Sequence, residues 1–173
     1  MPVRTQSSPV FEVAPGRFDV PTLNSKSRII DASAARKQLA QLEVGRRTGC
    51  YIFAVAKGQR FEPWYVGKAT RNFAQEVFND SNVRKYIEAV DMAKTGKPVV
   101  FFVCHPIQKG AVNRAAIDKL ESLLVEECGF QNPDIRNTRK AIIYKLFIKG
   151  VLNATQGKPT SNAVALRKMM GRN

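Results

Sequence analysis

Two tyrosine triplets and one glutamate stand out in this 173-residue chain as residues whose types and spacing favour chemistry. The triplet GCY (49–51) opens one β-rich run, and YVG (65–67), followed by Lys68, lies in the next one. Glu121 falls at the edge of an apolar arc on a helix expected over 112–128. A carboxylate at such an edge is half-buried and favours a cation, although a solvated glutamate that extends outward would fit the same pattern. Phenols and carboxylates can transfer protons, a carboxylate can also bind a metal ion, and an ammonium group supplies positive charge.

Three apolar runs predict the sheet that must position the triplets. CYIFAVA (50–56) and PWYVGKA (63–69) flank a turn region at 57–58 and predict a hairpin with a loop of several residues. VVFFVC (99–104) is apolar throughout, which predicts a central strand. The expected fold is therefore α+β, with a small three-stranded, mainly antiparallel sheet flanked by helices and extended by helical N- and C-terminal segments.

Helices are expected before, between and after these strands. Asp31 can cap a first helix whose apolar face uses Ala35, Leu39 and Leu42 and which ends at Gly45. The other predicted helices cover 72–79, 82–94, 112–128 (closed by Gly129) and a short segment capped near Ser161.

The chain divides into three predicted segments. Residues 1–24, with four prolines in polar sequence, predict an extended arm. Residues 25–157 form the domain with its preceding helix, including an apolar-basic segment at 140–152, and residues 158–173 form a basic helix packed on that domain or extending it.

Charge is the unusual quantity, because 28 Lys and Arg stand against 14 Asp and Glu, for a net charge of +14. The segment 49–137 is nearly balanced, whereas 138–173 has eight bases and no acid. This pattern predicts a polyanionic partner, and nucleic acid is the usual one. Basic flanks that only keep the protein soluble are the alternative.

Composition excludes several classes of protein. Apolar residues make up 44% of the chain, which is typical of a globular protein and not of a disordered one. No apolar run approaches the roughly 20 residues of a membrane span, and the first residues lack the apolar core of a signal peptide. We therefore expect a cytoplasmic protein with no membrane partner, whose three scattered cysteines are reduced thiols without zinc-ligand spacing.

The two triplets resemble the namesake tripeptides of the GIY-YIG nuclease superfamily, which lie on adjacent strands of a three-stranded antiparallel sheet. Cys50 replaces the apolar middle residue of the first tripeptide, a mild change because a buried cysteine behaves as a small hydrophobe. Family members carry an essential glutamate on a later helix and an asparagine beyond it. Glu121 and Asn137, sixteen residues apart, match this pair. Asn137 would brace the site from a loop and contribute to substrate binding. The resemblance covers residues 48–137.

The resemblance implies a metal-dependent endonuclease that hydrolyses DNA phosphodiester bonds. Glu121 would hold Mg²⁺ or Mn²⁺. Tyr51 would take the proton of the attacking water, and Tyr65 would hydrogen-bond that water or the phosphate. Lys68 would supply positive charge or bind phosphate, and Gly67 would let the substrate approach the strand closely.

One position departs from the family pattern. The arginine that binds the scissile phosphate, on the first helix after the hairpin, corresponds to Gln75 here. Arg71, expected one helical turn earlier on the same face, could take its place, although it could equally face solvent. Arg84 and Lys85 are more distant substitutes. The departure leaves open a second interpretation, a nucleic-acid-binding module on the same fold with catalysis weakened or lost.

Overall fold

The computed structural model describes residues 9–106, 111–137, 147–154 and 157–172. Its strands are β1 (Val10–Val13), β2 (Phe18–Asp19), β3 (Gly49–Lys57), β4 (Arg60–Ala69), β5 (Lys97–Cys104), β6 (Phe147–Lys149) and β7 (Asn153–Ala154). Its helices are α1 (Ala32–Gln41), α2 (Phe73–Glu76), α3 (Asp80–Ala93), α4 (Arg114–Gln131) and α5 (Ser161–Met169), with one turn of 3-10 helix at Glu43–Arg46. Most of the predicted apolar-basic segment, 140–146, lies outside the described residues.

The sheet is larger than the three-stranded sheet expected from the sequence, and that expectation was wrong. Within the described ranges the strand order is β4-β3-β5-β1-β6-β7, and the two-residue β2 also pairs with β5. The predicted antiparallel group survives as β4, β3 and β5. The second edge of β5 is covered by β1 and β2, both antiparallel to it, and β6 then pairs parallel to β1. The chain is therefore α+β with a mixed sheet.

Two of the extra strands, β1 and β2, come from the segment whose prolines favoured an extended arm, and β6 and β7 come from residues 147–154. In β1 the side chains of Phe11 and Val13 are buried and that of Glu12 is exposed, which is the alternation of a strand covered on one face. Pro15 falls in the turn between β1 and β2, and Pro21 follows β2, so neither removes a donor from the ladder.

The β3–β4 hairpin is longer and its turn is tighter than the predicted loop of several residues. Lys57 pairs directly with Arg60, which leaves a two-residue turn in which Gly58 adopts a φ of +62°. Phe61 packs edge-to-face on Phe101 at 5.1 Å between ring centres. This contact packs the polar first residues of β4 against β5.

The prediction that Asp31 caps the first helix is confirmed. Its side chain accepts a hydrogen bond of 2.9 Å from the backbone N–H of Ala34. Ala35 and Leu39 are fully buried, as the apolar face predicted. Leu42 lies beyond the helix and is 44% exposed, so it does not continue that face.

Two helix boundaries differ from the predicted ones. The helix expected over 72–79 is shorter than predicted, because α2 begins at Phe73 after its cap Asn72 and already ends at Glu76. The helix expected to close at Gly129 runs on to Gln131. A glycine costs about 1 kcal/mol relative to alanine inside a helix, which does not by itself end one.

Both faces of the sheet are covered, and β3 alternates between two cores. Cys50 and Ile52 pack on the side of α4 and α5, whereas Tyr51 and Phe53 pack on the side of α1 and α3. Almost all of β5 is buried, as predicted for a central strand. None of the helices within the described ranges has the length and apolar content needed to span a lipid bilayer.

Candidate functional site

The first triplet's tyrosine lies over the second triplet's glycine. Tyr51 of β3 is directly opposite Gly67 of β4. A Cβ atom at residue 67 would lie 2.2 Å from the Tyr51 hydroxyl oxygen and 2.2 Å from its Cζ atom. A side chain there would displace the phenol ring. Gly67 therefore gives room to Tyr51, whatever it does for a substrate.

The hydroxyl of Tyr51 is buried and held by Asn82 of α3. The Asn82 Nδ2 group donates to the Tyr51 oxygen at 2.7 Å and to the carbonyl oxygen of Glu76 at 2.9 Å. A carbonyl oxygen only accepts, so the Glu76 contact fixes which end of the amide faces Tyr51. Burial is the main cause that raises the pKa of Tyr51 well above its ordinary value. Tyr51 therefore stays protonated at neutral pH and is a poor proton acceptor.

Tyr65 presents its hydroxyl to a cation on the same side of the sheet. The Lys85 Nζ atom, from α3, lies 3.4 Å from the Tyr65 oxygen and 4.5 Å from the centre of its ring. Tyr65 is 9% exposed, against 1% for Tyr51. Of the two phenols, Tyr65 is the one with solvent access and a neighbouring ammonium group.

Lys68 projects from the opposite face of β4 and meets two carboxylates of α4. Its Nζ atom lies 2.9 Å from Asp118 Oδ1 and 3.2 Å from Glu121 Oε2. The hydrogen bond with Asp118 is the main cause that raises the pKa of Lys68. Sequence reasoning found Glu121 and missed Asp118, although a carboxylate three residues earlier on one helix face was a usable signal.

The Tyr65–Lys85 pair and the Lys68 cluster with Asp118 and Glu121 lie on opposite faces of the edge strand β4. Neighbouring side chains of a strand point to opposite faces, so Tyr65 faces α3 while Lys68 faces α4. The charge of Glu121 still reaches the other face: after burial and Tyr65, it also contributes to raising the pKa of Tyr51. The sequence-predicted phenols and carboxylate thus surround Gly67 from both sides.

A loop after α4 covers part of the β4 edge. The side chain of Asn137 accepts from the backbone N–H of Val66 and donates to the Val66 carbonyl oxygen, both at 2.7 Å. The backbone N–H of Arg136 donates to the Trp64 carbonyl oxygen at 2.8 Å. The Asn137 side chain therefore makes the two backbone hydrogen bonds that a neighbouring strand would make, within the YVG triplet that it was expected to brace.

Arg71 does not lie where the sequence placed it. It precedes the cap of α2, so it shares no helical face with Gln75, and that premise of the prediction was wrong. Its side chain is 70% exposed, and its Nε atom lies 3.5 Å from Glu76 Oε1. Arg84 is exposed on α3 and has no ion pair with any residue in the described ranges. The structure brings Lys85 to Tyr65 and leaves both arginines outside this contact.

The donor set at α4 fits a hydrated divalent ion. Throughout the described part of the chain, no three His, Cys, Asp or Glu side chains come together as a ligand cluster. Mg²⁺ is commonly bound by one or two carboxylates and keeps several waters, which Glu121 and its neighbour Asp118 can provide. The side chain of Glu121 is 25% exposed, and it already pairs with the Lys68 ammonium.

When the chain is compared with known proteins, no protein family, curated protein or solved structure matches it. The two triplets do lie on adjacent antiparallel strands, with the first on the middle strand of β4, β3 and β5. The resemblance to GIY-YIG nucleases therefore rests on these triplets together with Glu121 and Asn137.

Proposed function

We propose that this chain is a metal-dependent endonuclease of the GIY-YIG type that hydrolyses DNA phosphodiester bonds. The observation that carries the proposal is the arrangement around Gly67. Tyr65 and Lys85 lie on one face of the edge strand, and Lys68 and Glu121 lie on the other. The net charge of +14 supports a polyanionic substrate, because cationic side chains that replace the counterions of DNA gain affinity by releasing them.

Phosphodiester hydrolysis needs an activated water, neutralised phosphoryl oxygens and stabilisation of the leaving oxygen. A divalent ion held by Glu121 would supply charge neutralisation and a polarised water. Tyr65 is better placed than Tyr51 to contact the attacking water or the phosphate, because its hydroxyl lies beside the Lys85 ammonium, whereas the Tyr51 hydroxyl is buried and held by Asn82. Tyr51 instead fixes the backbone at Gly67, and Lys68 and Lys85 bind phosphate oxygens.

Nicking of supercoiled plasmid tests this proposal, with Mg²⁺ or Mn²⁺ against an EDTA control. Glu121→Gln should lower the nicking rate on the order of 10²–10³-fold, the usual cost of losing one group that stabilises the transition state. Glu126→Gln is the matched control, because Glu126 is a partly buried carboxylate on the same helix. It should nick at the wild-type rate, and both variants should bind DNA at least as tightly as wild type.

Wild-type nicking by Glu121→Gln would show that the assigned metal site is wrong. The alternative function is a nucleic-acid-binding module. The position of Arg71 favours it, because this arginine lies outside α2 and pairs with Glu76. DNA binding without cleavage under either divalent ion would select that alternative.

A further inference from the structure

Lys68 has two carboxylate partners, although one is enough to neutralise it. The contact with Asp118 is the shorter, at 2.9 Å against 3.2 Å for Glu121. The Asp118 side chain is 56% exposed and that of Glu121 is 25% exposed. The ammonium therefore lies between an outer and an inner carboxylate, and holds the outer one more closely.

We propose that Asp118 is a positioning residue that holds Lys68 and so leaves the Glu121 carboxylate to a divalent ion. The inference rests on the proposed function, because it takes Glu121 as the metal-binding group. Nothing in the family resemblance assigns Asp118, and its role follows from the three-group contact on β4 and α4.

Competition between like charges is the physical reason. An ammonium and a divalent cation repel each other and cannot share one carboxylate at close range without cost. With Asp118 present, Lys68 needs only to give up its longer contact when an ion binds Glu121. Without Asp118, Glu121 would be the only carboxylate within reach of the ammonium in the described structure, and a metal would have to displace it.

The charge balance points the same way. Two carboxylates with one ammonium and one divalent ion leave a net charge of +1, which suits a phosphate diester. With a single carboxylate, the same two cations leave +2 on a half-exposed surface. Asp118 thus keeps the lysine near the phosphate position without placing it on the metal.

A direct metal-ligand role for Asp118 is the competing explanation, and it predicts the opposite coupling with Lys68. If Asp118 holds Lys68, its removal should weaken metal binding more when Lys68 is present than when it is absent. If Asp118 ligates the ion, its removal should weaken binding more when Lys68 is absent, because the carboxylate is then free to coordinate.

Mn²⁺ titration followed by electron paramagnetic resonance of the free ion separates the two. The proteins are wild type, Asp118→Asn, Lys68→Met and the double variant, with Glu121→Gln to identify the site. Asp91→Asn, an exposed carboxylate on α3, controls for net charge. We expect Asp118→Asn to raise the Kd for Mn²⁺ by about two- to fivefold, the range for removing a partly exposed ion pair, and to raise it less in the Lys68→Met background.

An equal or larger effect of Asp118→Asn in the Lys68→Met background would overturn the proposal while leaving the nuclease proposal intact. Mn²⁺ binding that is unchanged in Glu121→Gln would overturn both, because no ion would then occupy Glu121. Circular dichroism melting of each variant checks that it is folded before the titrations are compared.

Discussion

At the scale of single residues, the Lys85 ammonium group is the best-placed candidate for the phosphate-binding cation of the proposed nuclease. It approaches the Tyr65 hydroxyl from α3, whereas Arg71 is engaged by Glu76 on the preceding segment. Under the proposed function, Lys85→Met should lower the cleavage rate at saturating DNA on the order of 10²–10³-fold, because it removes the cation proposed to bind the reacting phosphate. Methionine keeps the apolar stem against the Tyr65 ring, so folding should be preserved.

Arg84→Met is the control for this variant, because Arg84 is adjacent in sequence and exposed. It should leave the rate at saturating DNA unchanged. A normal rate for Lys85→Met together with a large decrease for Arg71→Ala would instead identify Arg71 as the phosphate-binding group.

The sequence predicted some of these residues and missed others for a physical reason. Glu121 could be found because the family resemblance implies a glutamate on a later helix, and local helical periodicity places Glu121 at the edge of an apolar arc there. The contact of Lys85 with Tyr65 joins residues that are twenty apart in the sequence, and that of Asn82 with Tyr51 joins residues that are thirty-one apart. Such pairings depend on how α3 packs on the sheet, which no local pattern encodes.

At the scale of elements, the loop after α4 protects the edge strand that carries the second triplet. Asn137→Ala removes two hydrogen bonds of 2.7 Å to the backbone of Val66. The free energy of unfolding should fall by about 1–3 kcal/mol, because the Val66 N–H and carbonyl are left without this partner. Amide hydrogen exchange at Val66 should accelerate.

Asp134→Ala is the control in the same loop, since the Asp134 side chain is exposed. It should leave both the unfolding free energy and the exchange at Val66 unchanged. Wild-type exchange in Asn137→Ala would mean that this side chain does not hold the edge strand in solution.

The strands that the sequence missed are the short ones. β2 and β7 have two residues and β6 has three, so none is long enough to show a period of two. β1 has four, and its alternation is masked by the prolines around it. β1 and β2 form because β5 offers a second edge, and β6 and β7 extend the sheet from β1, so all four depend on tertiary pairing. The long strands β3 and β5, by contrast, were predictable from their apolar runs.

At the scale of the whole molecule, the sheet has a site end and a turn end. Gly49 pairs with Ala69 and with Cys104, which places the ends of three strands together near the triplets. Arg46 lies just before this end of β3, and Arg71 just after this end of β4. Lys168 of α5 instead lines a cleft beside the hairpin turn.

This arrangement predicts where non-specific DNA affinity arises. Arg46→Gln with Arg71→Gln should lower the magnitude of the slope of log K against log salt concentration by roughly 0.9 for each DNA phosphate that the protein no longer neutralises. Lys97→Gln with Lys168→Gln removes two charges at the turn end and should leave the slope unchanged. The opposite result would place the DNA at the turn end, away from Glu121.

Truncation of the basic C-terminal segment is not an alternative to these substitutions. Leu166, Met169 and Met170 of this segment are buried in the core that α4 shares with the sheet. The Nδ2 group of Asn162 also donates to the backbone carbonyl oxygen of Ala14 at 3.0 Å. Removing α5 would therefore expose part of the core, and any decrease in affinity would reflect unfolding.

The position of β1 between β5 and β6 also has a consequence for biosynthesis. β1 leaves the ribosome before both of its neighbours, which are residues 103–104 and 147–149. The hairpin, β5 and α4 can pack together before β1 docks on β5, because closing such a long loop costs entropy before any contact repays it. Until β1 docks, the outer edge of β5 presents unpaired backbone groups. A crowded population of nascent chains would therefore associate through this edge first.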